Sequence, residues 1–179
     1  MLPAVGFAAG NVASVDGTEY PTVQQAVDNA NGKTVVLLDN VTESITIAKG
    51  QTIKLDLGSY TLTNTAKQHT ITNNGTLTIQ GSGKVDNVDH GKGALVNNGE
   101  ATIAGGTLTR SQEKGTDAAT SGGNSWYVVD NNGTITMKGG QIINTSGFSS
   151  LVRNIGAMFN LENGTLQNTF IVLKNDDNG

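Results

Sequence analysis

The chain has 179 residues and a formal net charge of −4, with 24 glycines, 2 prolines and no cysteine. The lack of cysteine excludes a disulfide framework and a thiolate metal site. The acidic balance, without a cluster of Lys or Arg, argues against a nucleic-acid partner. No apolar run approaches the ~20 residues of a transmembrane helix, so we expect no membrane insertion. The length fits one domain, and alternating apolar residues provide a core.

Residues 1–11 are apolar and contain small residues at Ala8 and Ala9. This composition fits the end of a secretory signal peptide, and it equally fits a disordered N-terminus. Both interpretations stay open. The folded domain is expected over residues 12–179.

A capping segment is predicted over residues 20–32, where Thr22 and Gln25 have the spacing of a capping box. Apolar residues then recur at helical spacing, at Val23, Ala26, Val27 and Ala30. The helix over 22–30 is expected to end at Asn31 and Gly32 and to cover the open strand edges of the first coil. Strands are predicted next at residues 34–38, 44–47 and 52–57.

Coils are predicted over residues 33–179, where a short phrase recurs. The phrase consists of Asn-Gly, two apolar residues at alternate positions and a final Gly. It begins at Asn74, Asn98 and Asn132, and a looser copy starts at Gly156. Alternation is typical of a half-buried strand, and Asn and Gly tolerate the positive φ of a turn. Such strands bury an apolar face only when coils stack ~4.8 Å apart. This predicts an all-β solenoid, a right-handed single-stranded parallel β-helix of six to seven coils of ~23 residues.

Two columns of residues align from coil to coil. The first is aliphatic and predicts a buried stack, at Leu62, Val85, Leu108, Ile142 and Leu166, with spacings of 23, 23, 34 and 24 residues. The second lies two residues further on, at Asn64, Asn87, Asn144 and Asn168, with Arg110 in the same register. It predicts a ladder of amides that bond to one another and to turn backbone.

The spacing of 34 indicates an inserted loop over residues 111–125, rich in Ser, Gly and Thr. Insertions in solenoids map to one face, which is often the binding face. If the chain binds a ligand, we expect the contact beside this loop, at Arg110, Trp126, Tyr127, Asp130 and Arg153. Asp130 and Arg153 would form an exposed ion pair between coils, and Trp126 and Tyr127 would point to opposite faces of a strand. The alternative is an aromatic residue that only covers the gap left by the insertion.

Gly179 lies 23 residues after Gly156, as Gly156 lies 23 residues after Gly133. The sequence therefore ends where a further coil would begin, without the polar cap of a complete solenoid. We expect a truncated piece of a longer β-helix. The alternative is an end that docks on a partner.

These features resemble the pectin-lyase-like right-handed β-helix repeats of large surface proteins in Firmicutes and related gut bacteria. The resemblance rests on residues 15–27, 34–41 and 53–57 and on the Asn column, which is similar to the asparagine ladder of that superfamily. It implies the fold and a secreted or cell-surface location in a bacterium. It does not fix an activity, because the same fold carries lyases, hydrolases, tailspikes and adhesins.

Enzymes of that superfamily place carboxylates on adjacent coils of one outer strand face. The column around Asp86 reads Thr63, Asp86, Thr109, Ile143 and Gln167, with no second acid. We therefore predict no catalytic residue, no metal and no other cofactor.

The sequence favours a non-catalytic segment of a bacterial cell-surface or secreted protein, an adhesin or a structural stalk. Its expected partner is a host glycan, a polysaccharide or a surface protein, bound through the inserted loop. One alternative is a fragment of a polysaccharide lyase or glycoside hydrolase with catalytic coils beyond residue 179. Another is a leucine-rich-repeat horseshoe, which fits poorly because a recurring Leu-x-x-Leu-x-Leu frame is absent. The sequence indicates no oligomeric state.

Overall fold

The computed structural model describes residues 10–111, 126–144, 150–169 and 171–176. Most of the N-terminal segment 1–11, nearly all of the inserted loop 111–125 and the last three residues lie outside these ranges. The described residues form a nearly all-β solenoid in which three sheets run along the stack of coils, with one short helix among them. The all-β solenoid predicted from the repeat is confirmed.

Each coil contributes one strand to each sheet, and all neighbours within the following lists are parallel. The first sheet contains β3 (Thr34–Leu37), β6 (Thr52–Asp56), β9 (Thr76–Gln80), β12 (Glu100–Ile103), β15 (Thr134–Met137) and β18 (Met158–Leu161). The second contains β4 (Val41–Thr42), β7 (Thr61–Thr63), β10 (Lys84–Asp86), β13 (Thr107–Arg110), β16 (Gln141–Asn144) and β19 (Thr165–Gln167). The third contains β5 (Ile45–Ile47), β8 (Ile71–Asn73), β11 (Leu95–Asn97), β14 (Tyr127–Asn131), β17 (Ser150–Ile155) and β20 (Leu173–Asp176).

Six parallel strands per sheet correspond to about five turns of the solenoid, so the predicted six to seven coils are too many. The first and the last of the six parallel strands in each sheet are separated by five steps from coil to coil.

The alternation of residues along each strand fills the interior. In β9 the side chains of Leu77 and Ile79 are completely buried, whereas the Thr and Gln residues between and beside them are half-buried on the outer face. The predicted aliphatic column lies in register within the second sheet, at Leu62, Val85, Leu108, Ile142 and Leu166. Its first four members have no exposed surface, and burial of each such side chain stabilises the fold by about 1.5–3 kcal/mol.

The N-terminal cap begins with a β-hairpin. Strands β1 (Ala13–Val15) and β2 (Thr18–Tyr20) pair antiparallel around Asp16 and Gly17, whose φ angles are 49° and 82°. Strand β1 also pairs antiparallel with β3, so the hairpin covers the open edge of the first sheet. Asp-Gly is a strong hairpin signal. The cap predicted over residues 20–32 is therefore too short, because it omits the hairpin.

Helix α1 (Val23–Asp28) completes the cap and is also shorter than predicted. The Thr22 hydroxyl accepts a hydrogen bond from the Gln25 amide at 3.1 Å, as the capping spacing predicts. The Gln24 side chain lies against the edge strand β5, where its Oε1 accepts from the Thr46 amide (2.8 Å) and its Nε2 donates to the Thr46 carbonyl (3.0 Å). A side-chain amide thus takes the place of a neighbouring strand at the open edge of the third sheet.

A ladder of buried asparagines runs along the corner between the third and first sheets. It consists of Asn73, Asn97, Asn131 and Asn154, in which each Nδ2 donates to the next Oδ1 at 2.7, 2.8 and 2.6 Å. The same Nδ2 groups donate to backbone carbonyls of the following coil, at Glu100, Thr134 and Met158. An asparagine ladder was expected, but the continuous one lies in a column that the repeat alignment did not single out.

Asparagines of the predicted column bond differently. Asn64 donates to the carboxylate of Asp89 (2.7 Å) and accepts from the Val88 amide (2.9 Å). Asn87 donates to the Gly93 carbonyl at 3.0 Å. Further along, Asn144 donates to Asn168 at 3.4 Å, and Arg110 is the register partner of Asn144. This column mainly holds the loops that leave the second sheet.

Glycine follows the outer asparagine of the ladder corner because the backbones of successive coils approach closely there. A Cβ on Gly99 would lie 2.1 Å from the carbonyl oxygen of Gly75, and one on Gly133 would lie 2.1 Å from that of Gly99. No side chain fits in this space. The recurring Asn-Gly phrase therefore reflects close stacking as well as turn conformation.

Candidate functional site

One surface region of the third sheet combines aromatic and charged side chains. We call it the aromatic cluster, and it consists of His69, Trp126, Tyr127, Asp130 and Arg153. Strands β14 and β17 supply most of it, Trp126 precedes β14, and His69 precedes β8. In the chain, Trp126 and Tyr127 follow directly after the inserted loop.

An ion pair between adjacent coils forms the base of the cluster. Asp130 and Arg153 are register partners on β14 and β17. Arg153 donates from Nε to Oδ1 at 2.9 Å and from Nη2 to Oδ2 at 2.6 Å, a bidentate arrangement that fixes the plane of the guanidinium. The pair was predicted as exposed, but only 7% of the Asp130 side chain and 22% of the Arg153 side chain are accessible. The hydrogen bonds to Asp130 raise the pKa of Arg153.

The two aromatic rings both contact this guanidinium. The Cζ of Arg153 lies 5.0 Å from the ring centre of Trp126 and 4.8 Å from that of Tyr127, within the range of cation–π attraction. The rings meet edge to face, with centres 5.9 Å apart. The prediction that they point to opposite faces is wrong, because β14 begins at Tyr127 and Trp126 lies outside its pleat.

His69, which lies one coil before Gly93, also belongs to the cluster. Its ring centre lies 6.4 Å from that of Trp126, and its Nδ1 accepts a hydrogen bond from the Gly93 amide at 2.9 Å. Gly93 makes room for this contact, since a Cβ there would lie 2.8 Å from the Tyr127 carbonyl oxygen and 3.5 Å from the Trp126 ring. Burial lowers the pKa of His69, and the charge of Lys92 lowers it further. The ring is therefore neutral at pH 7, with its proton on Nε2.

Sequence reasoning missed His69, although the repeat register contains a signal for it. Leu95 is the partner of both Ile71 and Val129. Counting back two positions in each strand places His69, Gly93 and Tyr127 in one column. The variable loops before these strands hide this alignment from a count along the chain.

Arg110 lies apart from the accessible part of the cluster. Its side chain has no exposed surface, and its Nη2 donates to the Asp89 carbonyl at 2.6 Å. A fully buried side chain reaches a ligand only if the surrounding structure moves. Arg110 thus belongs to the corner of the second sheet in this structure, while the other four predicted residues come together.

One lysine extends the cluster toward the last coil. Lys174 on β20 is the register partner of Arg153, and its Nζ lies 2.9 Å from the Asp176 carboxylate. Hydrogen bonding to Asp176, followed by the influence of Tyr127, raises the pKa of Lys174. Arg153 and Lys174 are each paired with a carboxylate, so the rings lie beside two ion pairs.

The groups of the cluster are suited to binding rather than to proton transfer. Asp130 is engaged by two nitrogens of Arg153, so its carboxylate is poorly placed to accept a proton from a substrate. The Nδ1 of His69 is engaged by Gly93, which leaves only an N–H donor on the other ring nitrogen. Across the described ranges, no group of three or more His, Asp or Glu side chains could hold a metal ion.

A donor with no partner lies within the cluster. The indole Nε1 of Trp126 is buried and makes no hydrogen bond to any described residue. Nη1 of Arg153 likewise has no hydrogen-bond partner among the described residues. Arg153, which is partly accessible, could donate to an oxygen-rich ligand or to water, whereas the buried Trp126 nitrogen could do so only if the surrounding side chains move.

Comparison with known proteins gave no relative. A scan against protein-family models, a search of curated proteins and a search of solved structures each found no match to this chain. In the part of the chain that the structure describes, no helix is long and apolar enough to cross a membrane. The fold and the cluster define the class: a parallel β-solenoid with a surface cluster of aromatic and charged side chains beside an enlarged coil.

Proposed function

We propose that this protein is a non-catalytic β-solenoid of a bacterial surface or secreted protein that binds a polysaccharide or host glycan through the aromatic cluster. The observation that carries the proposal is the fixed pair of rings around Arg153, which is itself held by Asp130. Aromatic side chains present large apolar area with little loss of conformational entropy on binding. Nη1 of Arg153, on a partly accessible side chain, is a donor that matches the hydroxyl oxygens of sugars.

Kinship with pectin-lyase-like β-helices and a bacterial surface location belong to the same proposal. The stacked parallel sheets and the buried asparagine ladder support the kinship. The regular stack of coils would separate the cluster from an attachment point, as an adhesin or a stalk requires. The described coils expose no matched pair of carboxylates around the cluster, and this favours binding over the lyase or hydrolase alternative.

The experiment is a screen of immobilised polysaccharides and host glycans, followed by titration of any ligand found. Trp126→Ala should weaken binding about tenfold or more, because the stacking area of the indole is lost. Tyr60→Ala is the matched control, since Tyr60 is a half-buried aromatic residue that packs on the core away from the cluster. Thermal unfolding of both variants checks that each still folds.

Three outcomes would contradict the proposal. If no polysaccharide or host glycan binds in the screen, the proposed class of ligand is wrong. Binding that survives Trp126→Ala unchanged removes the cluster as the site. Unsaturated products or new reducing ends in the polysaccharide would show that the chain is an enzyme.

A further inference from the structure

Five Asn-Gly pairs lie in the described part of the chain, and one of them is held differently from the rest. The asparagines of these pairs are Asn31, Asn74, Asn98, Asn132 and Asn163. In an Asn-Gly pair the glycine amide nitrogen can attack the asparagine side chain, because glycine has no Cβ to block the approach. Whether it does so in a folded protein depends on how firmly both groups are held.

Three of the pairs are held by ladders. Asn98 donates from Nδ2 to Asn74 Oδ1 at 2.9 Å, and Asn132 donates to Asn98 Oδ1 at 3.0 Å, so the three outer side chains form a continuous row. The amides of Gly75 and Gly133 donate inward to Asn73 and Asn131 of the buried ladder. Attack at Asn74 or Asn132 would require breaking both sets of bonds, and attack at Asn98 would require breaking the outer row, in which its side chain is bonded on both sides.

Asn31 is also restrained. Its Oδ1 accepts a hydrogen bond from the Thr52 amide at 2.8 Å. The Gly32 amide donates to the Thr52 carbonyl at 2.7 Å. The side chain and the nucleophilic nitrogen are thus each tied to the next coil.

Asn163 differs because its side chain bonds to the nitrogen that would attack it. The Gly164 amide donates to Asn163 Oδ1 at 2.8 Å, which places the nitrogen beside the side-chain carbonyl carbon. Both residues are exposed. The amides of Asn163 and Thr165 bond to the preceding coil, to the carbonyls of Met137 and Gly140, so the turn itself is anchored while this one contact is local.

We propose that Asn163 is the site of spontaneous deamidation in the folded protein. The Gly164 nitrogen, after losing its proton, attacks Cγ of Asn163, and the Cγ–Nδ2 bond breaks with release of ammonia. Water then opens the five-membered succinimide at either carbonyl and yields aspartate or isoaspartate. One water is consumed and one ammonia is released, with no oxidation or reduction. The product adds a negative charge to the turn between β18 and β19, and isoaspartate lengthens its backbone.

Asn168 provides an internal comparison within the same coil. The Thr169 amide donates to Asn168 Oδ1 at 3.0 Å, which repeats the local contact of Asn163. Threonine is β-branched, so its side chain hinders approach of its amide nitrogen to the asparagine. Asn168 should therefore persist while Asn163 reacts.

The test is incubation of the intact folded protein at neutral pH and body temperature, with peptide mapping by mass spectrometry at intervals. Asn163 should convert about tenfold faster than Asn74, Asn98 or Asn132, since breaking one hydrogen bond corresponds to about that factor. In concentrated urea the rates of these pairs should become similar. Asn163→Gln should remove the fast conversion from the folded protein.

Two results would overturn the proposal. One is equal conversion of Asn163 and the ladder asparagines in the folded protein. The other is an Asn163 that stays intact in the folded protein yet reacts in urea.

Discussion

Two corners of the solenoid differ in the lengths of their connections. One lies between the third and first sheets, and the other lies between the second and third sheets. At the first of these corners, four consecutive coils connect their strands with two residues each, at 74–75, 98–99, 132–133 and 156–157. At the second, the connections range from residues 43–44 in one coil to residues 111–126 in another. The first corner contains the continuous asparagine ladder, and the second leads into the aromatic cluster.

This difference shows how one solenoid separates stability from function. A ladder in which each amide bonds to the next tolerates no change in length, because one added residue shifts every partner. At the second corner, Asn64 and Asn87 do not bond to each other; they bond to atoms of their own loop and of the neighbouring coil, and the loop length varies there. Loops of different length can therefore collect there and bring distant residues such as His69 and Trp126 together.

The largest effect is expected inside the ladder. Asn97→Ala should lower the free energy of unfolding by about 2–4 kcal/mol, because the buried amides of Asn73 and Asn131 each lose a partner. Asn98→Ala, one residue away in the exposed outer row, should cost less than about 1 kcal/mol. Urea unfolding of the two variants measures the difference, and equal losses would show that the ladder is not what holds this corner.

A smaller effect is expected at the base of the cluster. Asp130→Asn should lower the free energy of unfolding by about 2 kcal/mol, since the half-buried guanidinium of Arg153 loses its counter-charge. The control is Asp16→Asn, whose carboxylate pairs with Lys33 in an exposed contact. That variant should unfold as the parent protein does, because exposed pairs contribute little. If both variants lost the same free energy of unfolding, the buried pair would contribute no more to stability than the exposed pair.

The smallest effect is a dependence on pH that comes from His69. Its pKa in the folded protein lies below the ordinary value of 6.5, so the unfolded chain binds more protons as the pH falls. Stability should then decrease on acidification below about pH 6.5. The protonated ring would lose the bond from Gly93 and would be repelled by Lys92 and Arg110, whereas Asp130 would attract it.

Unfolding measurements at pH 7 and pH 5 on the parent protein and His69→Gln isolate this contribution. The variant should lose less stability between the two pH values than the parent. If the parent and the variant lost the same stability between pH 7 and pH 5, His69 would not have a different pKa in the folded and unfolded states.

The overall fold could be predicted from the sequence because its signal is periodic. Leu62, Val85 and Leu108 recur at one spacing, and a period of that length with alternating strands admits few folds. The Asp130–Arg153 pair could be found in the same way, since both residues lie in adjacent coils of constant length after the insertion. Nothing periodic marks the hairpin at the N-terminus, which depends on a local Asp-Gly turn.

The details of the site could not be predicted, and the reason is local geometry. An alignment based on the second sheet assigns the ladder to Asn64 and Asn87, whereas the continuous ladder begins one strand later at Asn73. The orientation of Trp126 depends on where β14 begins. His69 contributes because Gly93 lacks a side chain. These are properties of loops whose lengths vary from coil to coil.

The contrast between the two corners is tested most directly by one pair of insertions. Gly-Ser is placed between Ala66 and Lys67, which are exposed in the variable corner, or between Asn98 and Gly99 in the ladder corner. The first insertion should cost less than about 1 kcal/mol of unfolding free energy, because lengthening a surface loop is inexpensive. The second should cost about 3 kcal/mol or more, because it breaks the ladder and the glycine stack. Equal losses in urea unfolding would contradict the division of the solenoid into a fixed corner and a variable one.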